Sequence, residues 1–388
     1  MEFSVGFPRS MRFGAGVSRQ LPDMLQQIGL SRPFVMTDRF LWDNGRLDAI
    51  RDALDQAGIR ARFFLDTVPE PDVPSIERAL ADLLLDEHDC IVAFGGGSPI
   101  DSAKAVAVLA RHGGHISDYK APHLQNDAGL PVIAIPTTAG TGSEATRFTV
   151  ITDTERDEKM LCAGLAYLPV AALVDFELTL TKPARLTADT GIDALTHAIE
   201  AYVSRRATPV SDLFALAAIE AIAPNLRRVW ADGSDMDARE QLMLGATYAG
   251  VAFSNSSVAL VHGMSRPIGA HFHVPHGLSN AMLLPLVTEF SAPGNVARYA
   301  RCAKAMGVAS DGEGDQMAVS RLVEELAAVN RDLAVPSPNA YGVTRERWEE
   351  MIPVMVEQAI ASGSPANNPR VPTEAEMHAL YQRVFDQG

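Results

Sequence analysis

The sequence predicts an α/β plus all-α protein, and three observations carry that expectation. Over the first half, short apolar runs alternate with helix-period segments at the pitch of βα units. From about Lys182 the strand signals fade and long helical patterns take over. In the first half, two apolar runs lead directly into loops rich in glycine and hydroxyl side chains. We therefore expect an α/β domain over residues 1–182 and an all-helical domain over 183–388, with the boundary at Pro183.

In chain order, strands are expected at 33–37, 60–64, 90–94 and 131–136, and helices at 47–57, 76–85 and 101–111. Each strand candidate is a short apolar run closed by turn residues, and each helix candidate has apolar residues three and four apart. In the second half, helices are expected at 191–203, 210–229, 239–261, 295–305, 316–329 and 345–360. The longest uncharged stretch, 241–264, carries Asn255 and neighbouring serines at its centre. It reads as a buried helix and not as a membrane span.

The formal net charge of -15 repels phosphate backbones and anionic lipid, so neither nucleic acid nor membrane is an expected partner. Three widely spaced cysteines, Cys90, Cys162 and Cys302, form no disulfide framework and no zinc ribbon. With no apolar leader in MEFSVGFPRS, a reducing, cytoplasmic setting is expected.

The first loop lies in IVAFGGGSPIDSAK, residues 91–104. An apolar strand ends in Gly95, Gly96 and Gly97, then Ser98 opens a helix. Such a turn lets backbone N–H groups approach a pyrophosphate, and the helix N-terminus adds partial positive charge. The second loop, PTTAGTGSE at 136–144, presents Thr137, Thr138 and Thr141 after the next strand. Two such loops at successive strand ends belong at one edge of a parallel sheet, the arrangement of a Rossmann-like dinucleotide domain, although GxGxxG itself is absent. Asp38 ends the first strand. A carboxylate there either accepts a bond from a ribose hydroxyl, which favours NAD over NADP, or is an exposed turn aspartate.

Of ten histidines, four fall at 262, 271, 273 and 276, and His197 sits in the apolar helix GIDALTHAIEAY. Asp193 and His197 are four residues apart and share a helical face. A carboxylate on so apolar a face needs a cation or a strong donor. Fourteen residues of straight helix would hold His262 and His276 about 21 Å apart. They can share an ion with Asp193 and His197 only if the chain turns back, and Pro275–Gly277 is the place for it. One carboxylate and three imidazoles suit Fe2+ or Zn2+ with a position open for substrate, and spacing does not separate the two metals. A histidine taken singly reads equally as a hydrogen-bonded core residue.

In this combination the sequence resembles the iron-containing (group III) alcohol dehydrogenases. The matching segments are GGGSPIDSAK, PTTAGTGSEAT, TGIDALTHAIEAY, AFSNSSVALVHGMS and PHGLSNAMLLP, in order and across both proposed domains. The resemblance implies that Asp193, His197, His262 and His276 hold the metal. It implies that Gly96, Gly97, Ser98, Thr137, Thr138 and Thr141 line the dinucleotide, that Lys159 contacts it, and that Asp38 goes with NAD preference. A homodimer is expected on the same ground.

One departure stands out. Where members of that family often carry a second histidine four residues after the first, this chain has Arg266, in HGMSRP. A permanently charged guanidinium is a poor acid or base. Two readings stay open: Arg266 binds an anionic substrate group or the pyrophosphate, or it pairs with a neighbouring acid. The proton relay would then pass to His271 or His273. Glu70, in PEPD, stands where the family often has an asparagine near the nucleotide.

The expected function is hydride transfer between NAD(H) and a small alcohol or aldehyde, hydroxy acids included, with the metal as Lewis acid and with His262, Arg266 and His273 as candidate catalytic residues. The alternative is an NAD- and metal-dependent lyase or synthase resembling dehydroquinate synthase.

Overall fold

The computed structural model describes residues 2–156 and 158–386. The chain divides into two compact units, one spanning Val5–Thr181 and the other beginning at Lys182 and also taking in the first few residues up to Ser4.

The first unit contains β1 (Ser10–Phe13), α1 (Leu21–Ile28), β2 (Pro33–Met36), α2 (Arg39–Asp43), α3 (Asp48–Gln56), β3 (Arg62–Phe64), α4 (Val73–Leu83), β4 (Cys90–Gly95), α5 (Gly97–His112), β5 (Val132–Pro136), β6 (Phe148–Asp153), β7 (Glu158–Ala163) and β8 (Ala171–Val174). Six strands form one parallel sheet in the order β1-β8-β5-β4-β2-β3, and β6 and β7 pair as an antiparallel ribbon. Side chains of the sheet alternate between two cores, as strand geometry requires. Phe34, Met36, Ile91, Ala93, Val132 and Ala134 pack with α4 and α5 on one face. Val35, Val92, Phe94, Ile133, Ile135 and Leu173 pack with α1 and α3 on the other. Both faces are covered by helices, which is why these strands read as continuous apolar runs.

The strand order places the ligand edge. From β2 the chain passes to β3 on one side, then returns to β4 on the other side of β2. The carboxyl ends of β2 and β4 therefore flank a topological switch point, the crevice where parallel sheets of this kind bind ligands. Asp38 follows β2 and Gly95–Ser98 follows β4.

The second unit, among the described residues, contains no strand. It consists of α6 (Ala184–Val203), α7 (Pro209–Ile222), α8 (Leu226–Ala231), α9 (Met236–Ser254), α10 (Leu260–Phe272), α11 (His276–Ser291), α12 (Val296–Ala305), α13 (Asp315–Asp332), α14 (Pro338–Tyr341), α15 (Arg345–Ala361) and α16 (Glu374–Asp386). At its centre α6 packs against α7, α9 and α11, and its residues from Gly191 to Val203 are all buried. One stretch, Pro209–Ala231, is long and apolar enough to cross a membrane by length and composition, and half of its apolar window is buried inside the protein.

The parallel α/β unit and the helical unit match the expected fold class. Two expected helices are broken. The helix expected over 210–229 is interrupted where Pro224 follows α7. That expected over 239–261 ends at Ser254, because the Asn255 amide and the Ser256 hydroxyl turn back to the carbonyls of Val251 and Ala252 and compete with the helix. β1, β8 and the β6–β7 ribbon were not anticipated. β1 and β8 are four residues long, and β6 alternates partly and fully buried positions instead of forming an apolar run.

Candidate metal centre and phosphate loops

Three helices of the second unit bring side chains to one place: Asp193 and His197 on α6, His262 on α10, and His276 and Asn280 on α11. One donor atom from each of Asp193, His197, His262 and His276 lies within 4.8 Å of all the others. The Asp193 carboxylate sits 3.5 Å from Nε2 of His262, 3.8 Å from Nε2 of His276 and 4.0 Å from Nδ1 of His197. The His197 ring is stacked between Phe253 and His262, with centroids 4.3 Å and 4.4 Å away. Asp193, His197 and His262 are buried and His276 is partly exposed, so the cluster has one open side.

The chain turns back where the spacing requires it. Helix α10 ends with His273 in the left-handed conformation (φ 54°), and Pro275 leads into α11 at His276. Gly277 allows the start of α11 to press against α6: a Cβ there would stand 2.4 Å from the Asp189 carbonyl oxygen. Without that close approach His276 could not reach Asp193.

Glu200, two turns along α6 from Asp193, organises the cluster from behind. Its buried carboxylate accepts hydrogen bonds from the backbone N–H groups of Ala259 (2.9 Å) and Val261 (2.6 Å), which caps the otherwise uncapped start of α10. It also accepts from Nδ1 of His262 at 2.7 Å. This bond puts the ring proton on Nδ1 and leaves the Nε2 lone pair facing Asp193. Asn280 is fully buried. Its amide donates to Asp193 at 2.6 Å and points at Nε2 of His262 (3.1 Å) and of His276 (3.3 Å). Neither Glu200 nor Asn280 was picked out from the sequence. The available signals were an acid on an apolar helix face in register with Asp193, and an amide one turn after His276.

The electrostatics suit a cation. Burial would raise the Asp193 carboxyl, but the facing imidazoles, His197 first, outweigh it and hold the group well below the usual carboxylate range. Burial pushes His197 down to about 3, against the pull of Asp193. For His262, burial works downward, and the facing carboxylates of Asp193 and Glu200 raise it overall. Among the described residues, Nδ1 of His197 and Oδ1 of Asn280 are buried without a hydrogen-bond partner. An orphaned imidazole nitrogen beside a buried carboxylate, in an N3O donor set, fits a divalent ion with a vacant coordination position.

Arg266 and His273 lie outside the four-donor set. Arg266 is partly buried and donates to the Ser364 hydroxyl at 3.1 Å. His273 is exposed at the turn, where its carbonyl accepts a bond from the Tyr341 hydroxyl, and His271 bonds Gln358 at 2.8 Å.

In the first unit, α5 starts at Gly97 with no side-chain cap, so its first N–H groups are open at the switch point. The two loops touch. A Cβ on Gly97 would come within 2.9 Å of the Thr141 side chain, and one on Gly96 within 3.3 Å of the Thr138 hydroxyl. The Thr137 backbone N–H donates to the Gly95 carbonyl, and its hydroxyl is buried with no partner among the described residues. Glu70 meets this loop through its N–H, 3.3 Å from the Ser98 hydroxyl, and Lys159 pairs with the Glu70 carboxylate at 2.8 Å. That contact brings Lys159 to the same edge. Asp38 caps α2, one carboxylate oxygen accepting from the Leu41 N–H at 2.8 Å. An open helix terminus beside two close-packed glycine and threonine loops fits a pyrophosphate.

Beneath the loops lies a buried network that sequence reasoning overlooked. Lys104 donates to the Ser143 hydroxyl, to the carbonyl and hydroxyl of Thr146, and to the Phe148 carbonyl, at 2.8–3.0 Å. Asp101 accepts from Ser143 and from the Val150 N–H. The pair ties α5 to the threonine loop, and its only sequence trace is the one-turn spacing in DSAK.

A dinucleotide-type parallel sheet and a helical N3O cluster on one chain define a metal-dependent, nucleotide-linked enzyme. The family models agree over nearly the whole length: "iron-containing alcohol dehydrogenase" matches residues 8–176 and the C-terminal model of the same family matches 187–385. The chain belongs to the iron-containing alcohol dehydrogenase family. It is 36% identical to the NAD-dependent methanol dehydrogenase of Bacillus methanolicus over 379 residues, covering 97% of this chain and 98% of that relative. It is 38% identical to long-chain-alcohol dehydrogenase 1 of Geobacillus thermodenitrificans over 384 residues, covering 98% and 96%. Among solved structures, a 1,3-propanediol oxidoreductase superposes with a TM-score of 0.95 at 34% identity, covering 99% of this chain and all of that one.

Proposed function

We propose that this chain transfers a hydride between NAD(H) and a small alcohol or aldehyde at a divalent metal held by Asp193, His197, His262 and His276. The observation that carries the reading is the convergence of these four side chains, from three helices, on one point. Iron is the first candidate for the ion and zinc the second. A bound divalent ion supplies Lewis acidity to a substrate oxygen.

The protein's own groups do the rest. Glu200 keeps the His262 proton on Nδ1, so that Nε2 stays a donor. The ring of Phe253 walls one side of His197 and excludes water there. The partly exposed side, at His276, is the entry for substrate. In the first unit, the N–H groups of Gly97 and Ser98 with Gly96 take the pyrophosphate, and Thr137, Thr138, Thr141 and Lys159 line the remainder. The Asp38 oxygen not used in capping α2 takes the ribose hydroxyl and repels a 2′-phosphate. Among the candidate relays, His273 lies exposed on the α10–α11 turn. A cytoplasmic homodimer is the proposed form.

The test is metal removal. Chelator-stripped protein, verified by elemental analysis, is expected to lose alcohol-dependent NAD reduction and to regain it with Fe2+ or Zn2+. Unchanged turnover without metal would overturn the reading. Net accumulation of NADH separates a dehydrogenase from a lyase that regenerates its cofactor within each turnover.

A further inference from the structure

We propose that Arg266 is a specificity-determining residue that binds an anionic group on the substrate, so that the preferred alcohols and aldehydes carry a carboxylate or similar acid a few carbons from the reacting oxygen. The inference rests on the metal-site reading above and adds the substrate class to it.

Arg266 follows His262 by one turn of α10 and so projects from the same helical face. A guanidinium has five N–H donors. Among the described residues, the Arg266 side chain makes one hydrogen bond, to the neutral hydroxyl of Ser364, and no ion pair. Two other partly buried arginines of this unit have an acid partner: Arg298 bonds Asp212 and the Tyr202 carbonyl, and Arg185 bonds Asp189 and the Leu333 carbonyl. A partly buried cation with its fork largely unused is costly to keep. Its partial exposure leaves room for a partner from outside the chain.

The charge acts on the metal site. Both Glu200 and His197 feel Arg266, and burial lowers the pKa of its guanidinium without discharging it. Glu200 attracts Arg266 through space, but its oxygens are bonded to Ala259, Val261 and His262, and it makes no hydrogen bond to the guanidinium. A planar fork of this kind matches a carboxylate through two parallel bonds. The helix rise from His262 to Arg266 is about 6 Å. 4-Hydroxybutyrate, with about 5–6 Å between its hydroxyl and its carboxylate, is a probe on that length scale.

The experiment compares 4-hydroxybutyrate with its neutral isostere 4-hydroxybutyramide, using metal-loaded wild type, R266M and R266K. The expected result is a preference for the acid in kcat/KM of about tenfold or more. R266M abolishes it, and R266K, a point charge without the fork, keeps part of it. No preference in the wild type, or an equal one in R266M, overturns the assignment. So does a rise in KM for NAD in R266M with the acid-to-amide ratio unchanged, which would place the charge on the cofactor instead. Failure of the dehydrogenase reading looks different: neither compound yields NADH. Calorimetric binding of 4-hydroxybutyrate to metal-loaded wild type and R266M then decides the matter, loss in the variant supporting the site and equal binding refuting it.

Discussion

Replacing Glu200 by Gln tests whether the metal centre is set up from outside its four donors. The wild-type carboxylate accepts three hydrogen bonds, from two backbone N–H groups and from Nδ1 of His262. A glutamine offers one oxygen and one NH2. Turned one way, its oxygen keeps Ala259 and His262 and its NH2 opposes the Val261 N–H; turned to keep the shorter Val261 bond, its NH2 faces His262. The imidazole avoids the clash by moving its proton from Nδ1 to Nε2, the atom that points at Asp193. A protonated Nε2 cannot bind a cation. Loss of an orienting partner of this kind lowers metal affinity about 10–100-fold, or about 1.4–2.8 kcal/mol. The cap on α10 is weakened as well, at about 1–3 kcal/mol for a buried donor left unpaired. Chelator competition on purified wild type and E200Q measures the affinity, and circular dichroism checks that the variant is folded. If folded E200Q held metal within about threefold of wild type, the tautomer argument would fail.

Three further outcomes follow from particular contacts. G277A drives a Cβ to 2.4 Å from the Asp189 carbonyl oxygen and should cost about 1–3 kcal/mol and weaken metal binding, because His276 moves with the helix start. A melting temperature and metal content equal to wild type would show that the approach of α11 to α6 is not tight. D38N keeps an amide oxygen to cap α2 but removes the negative charge, so kcat/KM with NADP should rise relative to NAD. An unchanged ratio would remove Asp38 from cofactor selection. Burial pushes Lys104 down to about 8, against Asp101 and Glu144. The folded state therefore binds fewer protons than the unfolded chain between pH 8 and 10.5, and stability from this group rises with pH through that window. The cost, about 3 kcal/mol, is fully present below pH 8, so urea unfolding should show wild type gaining on K104M as pH increases. Parallel profiles would refute it.

Much was readable from local pattern alone. Continuous apolar runs at β2, β4 and β5, each followed by glycine, threonine or aspartate, announce a parallel sheet with a ligand edge, because strands covered on both faces have no polar side to show. Asp193 and His197 are adjacent through helix periodicity, and any four-residue spacing on an apolar helix carries that information. The alternation of strands and helices and the change near Lys182 follow from the same periodicities.

The rest was decided by contacts between segments far apart in the chain. Nothing local to Glu200 says that it caps a helix sixty residues later, or that Asn280 will reach Asp193 across two helices. His262 and His276 share a site because Gly277 has no side chain to hold α11 away from α6. The break between α9 and α10 likewise needs a buried carboxylate from α6 to satisfy the freed N–H groups. Periodicity specifies which face of an element is apolar or polar, whereas the partner that satisfies a buried charge is chosen only when the elements pack, since desolvation leaves no other place for its hydrogen bonds.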